Sequence, residues 1–400
     1  MKKVFTAIDI GTTKVTCLIA DYNTTQQKFT VLGAGQYASR GVKKGFVTHL
    51  EKTETSILNA VHMAEKKAGL TIDHVVINVS GKHLMSELVA LSSKLPQQVV
   101  TEDDINNLVL RASRVDAKSP FDVMHAFPLQ HTLDTTKGIK DPRGMMGRTL
   151  TTKIHVITAD KQALKNVLHA VHRCHLNTSS VIVSGVASGY AALTEDEMER
   201  GVTLIDMGGD TIEIANFYEG NVIHTLSIPL GGLHITSDIA HGLQIPLQEA
   251  ERLKILHGSA LETGDDDKVL LNIKDAQHRP LKKRVLTQII KPRVEEIFKI
   301  VKARLEASNM YKISGRRIVL TGGGSLLPSI KIVAGQVLGR QVRLGMPLRL
   351  MGPGEDLKNP SLTTAAGLLE FAYQDWWRER HANRHKKGWG ALFDWVKENF

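Results

Sequence analysis

Cysteine is nearly absent from this 400-residue chain: Cys17 and Cys174 are all there is. Two thiols exclude a disulfide framework and a Cys-rich zinc site, and they fit a reducing compartment. Aromatic residues make up only 5%. No stretch reaches the roughly 18–20 apolar residues that cross a bilayer. The chain opens Met1-Lys2-Lys3 as a secretory signal does, but Asp9 and Lys14 interrupt the apolar run that follows. The chain is therefore expected to stay in the cytoplasm. No Gly-Lys-Ser/Thr follows a glycine loop, so there is no Walker A sequence. His169, His172 and His175 lie on or beside one predicted helix, with no carboxylate to complete a metal site. No interleaving of aromatic and basic residues marks a nucleic-acid surface, so no nucleic-acid partner is expected.

What remains is ordinary for a soluble globular chain: 42% hydrophobic and 23% charged residues. The length suits two or three domains, or one large two-lobed unit with a sizeable core. The formal charge of +10 permits attraction to an anionic partner but names none. Val4–Ile10 and Val15–Ala20 read as strands around a Gly-Thr turn, with Phe29–Ala34 extending the sheet. Helical spacing covers Glu51–Lys67, stopped by Gly69, and His74–Val79 returns as a strand. Thr101 is a candidate N-cap for a helix over Glu102–Val115. A loop region with Pro120, Pro128, Gly138, Pro142, Gly144 and Gly147 follows, and the block reads as an inserted subdomain. Lys161–His172 reads as a helix and Val181–Ser184 as a strand. Further helices are expected at Leu233–His241, Leu247–Leu256, Leu286–Ala307, Ile330–Leu338 and Leu362–Tyr373.

The opening pattern recurs. Asp9-Ile-Gly-Thr-Thr-Lys14 and Asp206-Met-Gly-Gly-Asp-Thr211 each join two apolar strands. One such turn is an ordinary hairpin. Two, far apart in sequence, indicate two related lobes rather than a solenoid. Glycine lets backbone N–H groups approach an anion, Thr12 and Thr13 add hydroxyls, and Lys14 adds charge. An Asp at the strand end suits a hydrated Mg²⁺. The pair could grip a triphosphate from opposite sides. Thr321-Gly-Gly-Gly-Ser325 follows an apolar strand, where glycines permit close approach by a ligand. Glu251 and Lys254 share a helix face at i, i+3, a spacing that by itself describes a surface ion pair.

The order of these four elements resembles the actin/Hsp70/sugar-kinase superfamily. Within it, the chain is similar to the FtsA family of bacterial cell-division proteins. Ser39-Arg-Gly-Val-Lys-Lys-Gly45, Ser80-Gly-Lys-His83, Gly138-Ile-Lys-Asp-Pro142, Leu193-Thr-Glu-Asp-Glu197 and Ile290-Lys-Pro-Arg293 carry the narrower likeness. The resemblance implies an α/β, two-lobed actin-like fold, a duplicated ribonuclease H-like unit, with an insertion in lobe I. Its implied parts are a lobe I core of residues 1–83 with 162–195 and 362–374, and an inserted protomer-contact subdomain at 84–161. A lobe II core of 196–229 with 301–361 and a small subdomain at 230–300, docking the FtsZ C-terminal peptide, complete the body. It implies ATP and Mg²⁺ as cofactors. Asp9, Gly11, Thr12, Thr13 and Lys14 would form the first phosphate loop, and Asp206, Gly208, Gly209 and Thr211 the second. Asp9 and Asp206 would hold Mg²⁺ through water, Glu251 and Lys254 the ribose or adenine, and Gly322, Gly323, Gly324 and Ser325 the adenosine pocket. Asp210 stands where the superfamily has a third glycine, so it either points away or alters nucleotide affinity. Val183-Ser-Gly-Val-Ala-Ser-Gly189 offers no acid or amide to orient water, which argues for slow or absent hydrolysis.

The end of the chain differs in composition. Residues 375–388 read as a basic linker. In residues 389–400, Trp389, Leu392, Phe393, Val396 and Phe400 share one helical face, with Trp395 at its edge. Twelve residues make a helix about 18 Å long, too short to span a bilayer but able to lie in its interface. From residue 376 onward, six Lys/Arg face three Asp/Glu, which favours an anionic leaflet. Members of the family end in such a membrane-targeting helix. The expected function is an ATP-binding protein that polymerises on the cytoplasmic face of the inner membrane at the septum. It would tether the FtsZ ring and recruit later division proteins. The alternatives are a small-molecule kinase or exopolyphosphatase of the same fold, or a pilus-assembly relative.

Overall fold

The computed structural model of the chain describes residues 3–114, 119–272, 281–308, 313, 315, 317–352 and 357–382, without the side chains of 377–382. The membrane-facing residues expected in the tail, Trp389, Leu392, Phe393, Trp395, Val396 and Phe400, lie outside the described residues.

The chain begins with a meander of β1 (Val4–Ile10), β2 (Lys14–Asn23) and β3 (Lys28–Ala38). A small hairpin of β4 (Val42–Lys43) and β5 (Phe46–Val47) precedes helix α1 (Leu50–Ala68) and strand β6 (His74–Val79). Gly69 ends α1 in the left-handed conformation at φ 68°, as the sequence predicts. Four elements then leave the lobe and return: β7 (Leu84–Lys94), α2 (Glu102–Ala112), β8 (Phe121–Leu133) and β9 (Thr136–Ile139). Strand β10 (Thr149–Asp160) leads back to α3 (Lys161–Arg173), β11 (Asn177–Val183) and α4 (Ser184–Ala192).

The second half starts with α5 (Glu195–Arg200) and a meander of β12 (Val202–Met207), β13 (Ile212–Tyr218) and β14 (Asn221–Ile228). Helices α6 (Gly232–Leu243) and α7 (Leu247–His257), the short pair β15 (Leu270–Leu271) and β16 (Leu281–Lys282), and the long α8 (Lys283–Ala307) follow. Then come β17 (Arg317–Thr321), α9 (Ile330–Leu338), β18 (Gln341–Leu344), β19 (Leu350–Met351) and α10 (Thr363–Ala382).

The sequence repeat extends to whole sheets. The first sheet runs β11-β6-β1-β2-β3-β19 and the second β18-β17-β12-β13-β14. In each, a three-stranded antiparallel meander is continued by two parallel strands: β6 and β11 beside β1, β17 and β18 beside β12. Helices α4 and α10 belong to the core of the first half. Leu204, Ala215 and Phe217 of the second sheet pack into that core, while Ile205, Met207, Ile212 and Ile214 face the other core with α6 and α8. Alternate residues of β12 and β13 thus bury both sheet faces.

The inserted block is more regular than its glycines and prolines suggest. It forms a four-stranded sheet, β7-β10-β8-β9, covered by α2 around a small core of its own. The expected loop is largely strand: β8 passes straight through Pro128. Pro128 pairs with Ile154 where the register shifts between Lys153 and Ile154, and a bulge tolerates the missing donor. Thr101 caps α2 as expected, in a reciprocal capping box with Asp104. Helix α10 continues past its expected end at Tyr373 to Ala382. No Gly or Pro interrupts it after Gly367. Its Tyr373 stacks on Tyr22 with ring centroids 3.7 Å apart, and Trp376 packs edge-on against Phe5.

Candidate functional site

The two hairpin turns are built alike. Gly11 N–H donates to the Lys14 carbonyl at 3.1 Å, and Gly208 N–H to the Thr211 carbonyl at 2.9 Å. The turns face each other across the space between the two sheets and nearly touch: a Cβ on Gly209 would overlap the Thr13 methyl. The glycine there is required by the other lobe.

A cleft of about 380 Å³ opens between them. Asp9, Gly11, Thr12, Thr13 and Lys14 line one side, and Asp206, Gly208, Gly209 and Thr211 the other. Glu251, Lys254, Gly322, Gly323 and Gly324 complete it. Four segments distant in sequence therefore converge on one space. Of the candidate residues, Ser325 alone does not line it. Ser325 is buried, and its hydroxyl donates to the Gly322 carbonyl at 2.7 Å, so it shapes the glycine turn from behind. Gly322 sits at φ 84°, and a Cβ there would strike the Asp206 carboxylate.

Each acid at a strand end is anchored through one oxygen. Asp9 Oδ1 accepts from Asn78 Nδ2 at 2.8 Å, and Asn78 also reaches the Ile10 N–H and Ser184 Oγ. Asp206 Oδ2 accepts from Ser188 Oγ at 2.5 Å and Thr364 Oγ1 at 3.0 Å. Lys14 Nζ donates to Ser361 Oγ at 2.9 Å. Loss of hydration pushes the Asp9 carboxyl up to about 7, with nearby Lys14 opposing and Asp206 adding to the rise. Burial also raises Asp206 and lowers Lys14.

Lys254 and Glu251 do not form a solvated pair. Lys254 Nζ donates to Glu251 Oε2 at 2.7 Å, Thr236 Oγ1 at 2.7 Å and the Gly232 carbonyl at 3.1 Å. The network ties α7 to the start of α6, whose first N–H groups take the Gly208 and Gly209 carbonyls. Ile255, Leu327 and Pro328 add apolar surface at this end of the cleft.

Asp210 points away from the cleft. Its Oδ2 accepts from the Lys44 N–H at 3.1 Å, and its Oδ1 lies 3.9 Å from His234 Nδ1. Among residues the sequence reading missed, Asn78, Ser184, Ser361 and Thr364 line the cleft and are scattered polar residues without a motif. Glu213 was missed too, and here a signal existed. It stands opposite Asp206 in the β12–β13 register, where the first hairpin pairs Asp9 with Thr16. The segment 183–189 supplies only Ser184 and Ser188 near the acids, as expected, but Glu213 brings a third carboxyl to the cleft wall. It is almost wholly buried, accepts from Ser227 Oγ at 2.8 Å and the Gly81 N–H at 3.0 Å, and burial lifts it to about 8.

Among the described residues no group of His, Cys, Asp and Glu forms a metal-binding cluster. No helix there is long and apolar enough to cross a membrane.

Comparison with known proteins agrees with this architecture. The family model "Cell division protein FtsA" matches residues 203–367, and "SHS2 domain inserted in FTSA" matches residues 81–158. Cell division protein FtsA of Agrobacterium fabrum is 37% identical over 383 residues, covering 92% of this chain and 86% of that protein. The Escherichia coli K12 protein of the same name is 32% identical over 412 residues, covering 99% and 96%. Among solved structures, the PilM–PilN type IV pilus biogenesis complex superposes with a TM-score of 0.68 at 17% identity, covering 93% of this chain and 99% of that one. The two-lobed actin-like fold expected from the sequence is the fold observed. With a repeated acid-glycine hairpin on each side of one cleft, an inserted sheet in the first lobe and relatives this similar over nearly its whole length, the chain belongs to the FtsA family of cell-division proteins.

Proposed function

We propose that the cleft binds ATP and that the chain is an ATP-dependent membrane tether for the FtsZ ring. The observation that carries the nucleotide reading is the convergence of Asp9, Gly11–Lys14, Asp206, Gly208, Gly209, Thr211, Glu251, Lys254 and Gly322–Gly324 on one cleft. The N–H groups of the two turns that are not spent within them, together with Lys14, would hold the triphosphate oxygens. Glu251, Lys254 and the glycines of residues 322–324 would hold the ribose and base, with Ile255 and Leu327 as apolar surface. The hard oxygen donors of Asp9 and Asp206, both raised by burial and Asp9 also by Asp206, fit a Mg²⁺ held through water. When bound, that ion offsets the charge of the phosphates. Hydrolysis is slow or absent in this reading, because residues 183–189 offer no acid or amide to orient water and Glu213 is engaged by the Gly81 N–H and Ser227.

The remaining roles follow the same reading. The sheet of residues 84–161 makes contacts between protomers, and the 230–300 region docks the FtsZ C-terminal peptide. The amphipathic segment of residues 389–400, with Trp389, Trp395 and Phe400 among its apolar residues, lies in an anionic leaflet at the cytoplasmic face of the division septum. One such helix binds weakly, and a head-to-tail filament multiplies it. Downstream division proteins join the filament. The Escherichia coli relative aligns over 99% of this chain, a span that supports a common plan including the tail.

Titration of the full chain with a fluorescent ATP analogue tests the core of the proposal. Wild type binds, and Lys14→Ala weakens binding by about 10- to 100-fold, as loss of a charge-assisted phosphate contact predicts. Equal affinity in the two proteins, or none in wild type, overturns the nucleotide reading.

A further inference from the structure

The second hairpin reaches across the cleft with two carboxylates. Asp210, in its turn, accepts from the Lys44 N–H, and Glu213, in β13, accepts from the Gly81 N–H. The two amides belong to different loops of the first lobe, and those loops are packed on each other. A Cβ on Gly45 would collide with the Ser80 carbonyl, and one on Gly81 would lie 2.6 Å from the Lys44 carbonyl. Phe46 lies over His83 with ring centroids 4.7 Å apart. The β4–β5 hairpin and residues 80–83 therefore form one pad, gripped by two acids from the opposite lobe.

That pad is the root of the inserted sheet. Three residues past Gly81, β7 begins. The returning strand β10 ends beside it, where the Asp160 N–H donates to the His83 carbonyl at 3.1 Å. Both crossings into the insertion thus meet next to the Glu213 contact. The insertion also touches lobe II directly. Ser86 Oγ contacts His224 Nδ1 at 3.0 Å and accepts from the Thr225 N–H, and His155 Nδ1 lies 2.8 Å from the Val222 carbonyl. Ser227, the second donor to Glu213, lies on the same strand, β14.

We propose that Asp210 and Glu213 are positioning residues that form an interlobe clasp and pass closure of the cleft to the root of the inserted sheet. This rests on the nucleotide reading. A triphosphate bridging the two turns favours the arrangement in which they lie close, and only there can both carboxylates reach the Lys44 and Gly81 amides. A ligand shifts such an equilibrium by its differential affinity for the closed form. The clasp explains why an acid replaces glycine at Asp210, and why a glutamate at Glu213 replaces the threonine of the first hairpin. It gives occupancy of the cleft a physical route to the pose of the insertion.

Hydrogen–deuterium exchange of the full chain tests the clasp, read over residues 78–90 with and without Mg²⁺ and a non-hydrolysable ATP analogue. Each protein is saturated according to its own measured affinity. In wild type the analogue slows exchange at residues 80–84 by about tenfold, the scale of a typical coupling between sites. Asp210→Ala, at a residue outside the cleft, still binds the analogue and loses most of that protection. Glu213→Ala also loses it, whereas Glu213→Gln keeps an acceptor for Gly81 and retains most of it. Full protection in either alanine variant overturns the clasp while leaving nucleotide binding intact. Failure of wild type to bind the analogue sinks the nucleotide reading and the clasp with it.

Discussion

Asp9, Asp206, Glu213 and Lys14 stand between the two hairpins, and burial moves all four towards neutrality. Asp9 at about 7 and Glu213 at about 8 stay partly protonated in the ligand-free protein at neutral pH. Unfolding returns them to ordinary carboxyl values, so above pH 4–5 the native state binds more protons than the unfolded chain. The stability this contributes declines from pH 4–5 upward and is lost once the pH has passed through 7 and 8. The buried histidines work on the other side. His125 and His155 are lowered to about 3 and about 4 by burial, so the stability of keeping them neutral is lost as pH falls below their unfolded value near 6.5. Ligand-free protein should therefore lose stability above pH 6.5, where the histidines no longer offset the carboxyls. Urea titration should show a loss on the order of 1–2 kcal/mol by pH 8.5, and Glu213→Gln should flatten that limb. A midpoint unchanged from pH 6.5 to 8.5 contradicts the electrostatics described.

At the scale of elements, periodicity and caps were readable and long-range pairing was not. Helices α1, α3 and α7 lie within a residue or two of their expected limits because their apolar stripes and terminal residues are local signals. The strand at Phe121–Leu133 was hidden because Pro128 and the glycines around it suggest loop. Only its pairing with β10, whose register shifts between Lys153 and Ile154 opposite Pro128, shows why proline is accepted. The inserted sheet has a core of its own, in which Leu108 of α2 is fully buried with Leu150 and Ile154. Leu108→Ala should cost about 2–5 kcal/mol and loosen this part first. Limited proteolysis should then cut within residues 95–150 while the two lobes stay intact; cleavage spread evenly over the chain would mean the insertion has no separate stability.

The whole molecule is a duplicated frame with two additions, the inserted sheet and the tail. The frame brings distant turns together, and the tail follows α10 on the first lobe. Helix α10 carries Tyr373 and Trp376 into the aromatic cluster around Phe5 and Phe29, and the first residues of the expected basic linker, 375–382, belong to this helix. Removing residues 389–400 should abolish co-sedimentation with anionic vesicles and leave affinity for the ATP analogue within about twofold, since the cleft lies in the lobes. If the shortened protein sediments with vesicles as the full chain does, membrane attachment resides elsewhere and the tether proposal falls.

The sequence alone determined the two acid-glycine turns, the duplication they announce, the helix spacing of Glu251 and Lys254, and the amphipathic pattern of the tail. Those are local features, written in neighbouring residues and in periods of two and 3.6. Tertiary structure alone decided that Ser325 stands behind the cleft, that Asp210 turns away to Lys44, and that Glu213 joins Asp206 on its wall. The reason is geometric. Where a side chain ends depends on partners more than a hundred residues away, as with Glu213 and Gly81. No local pattern encodes which backbone amide the other lobe will present.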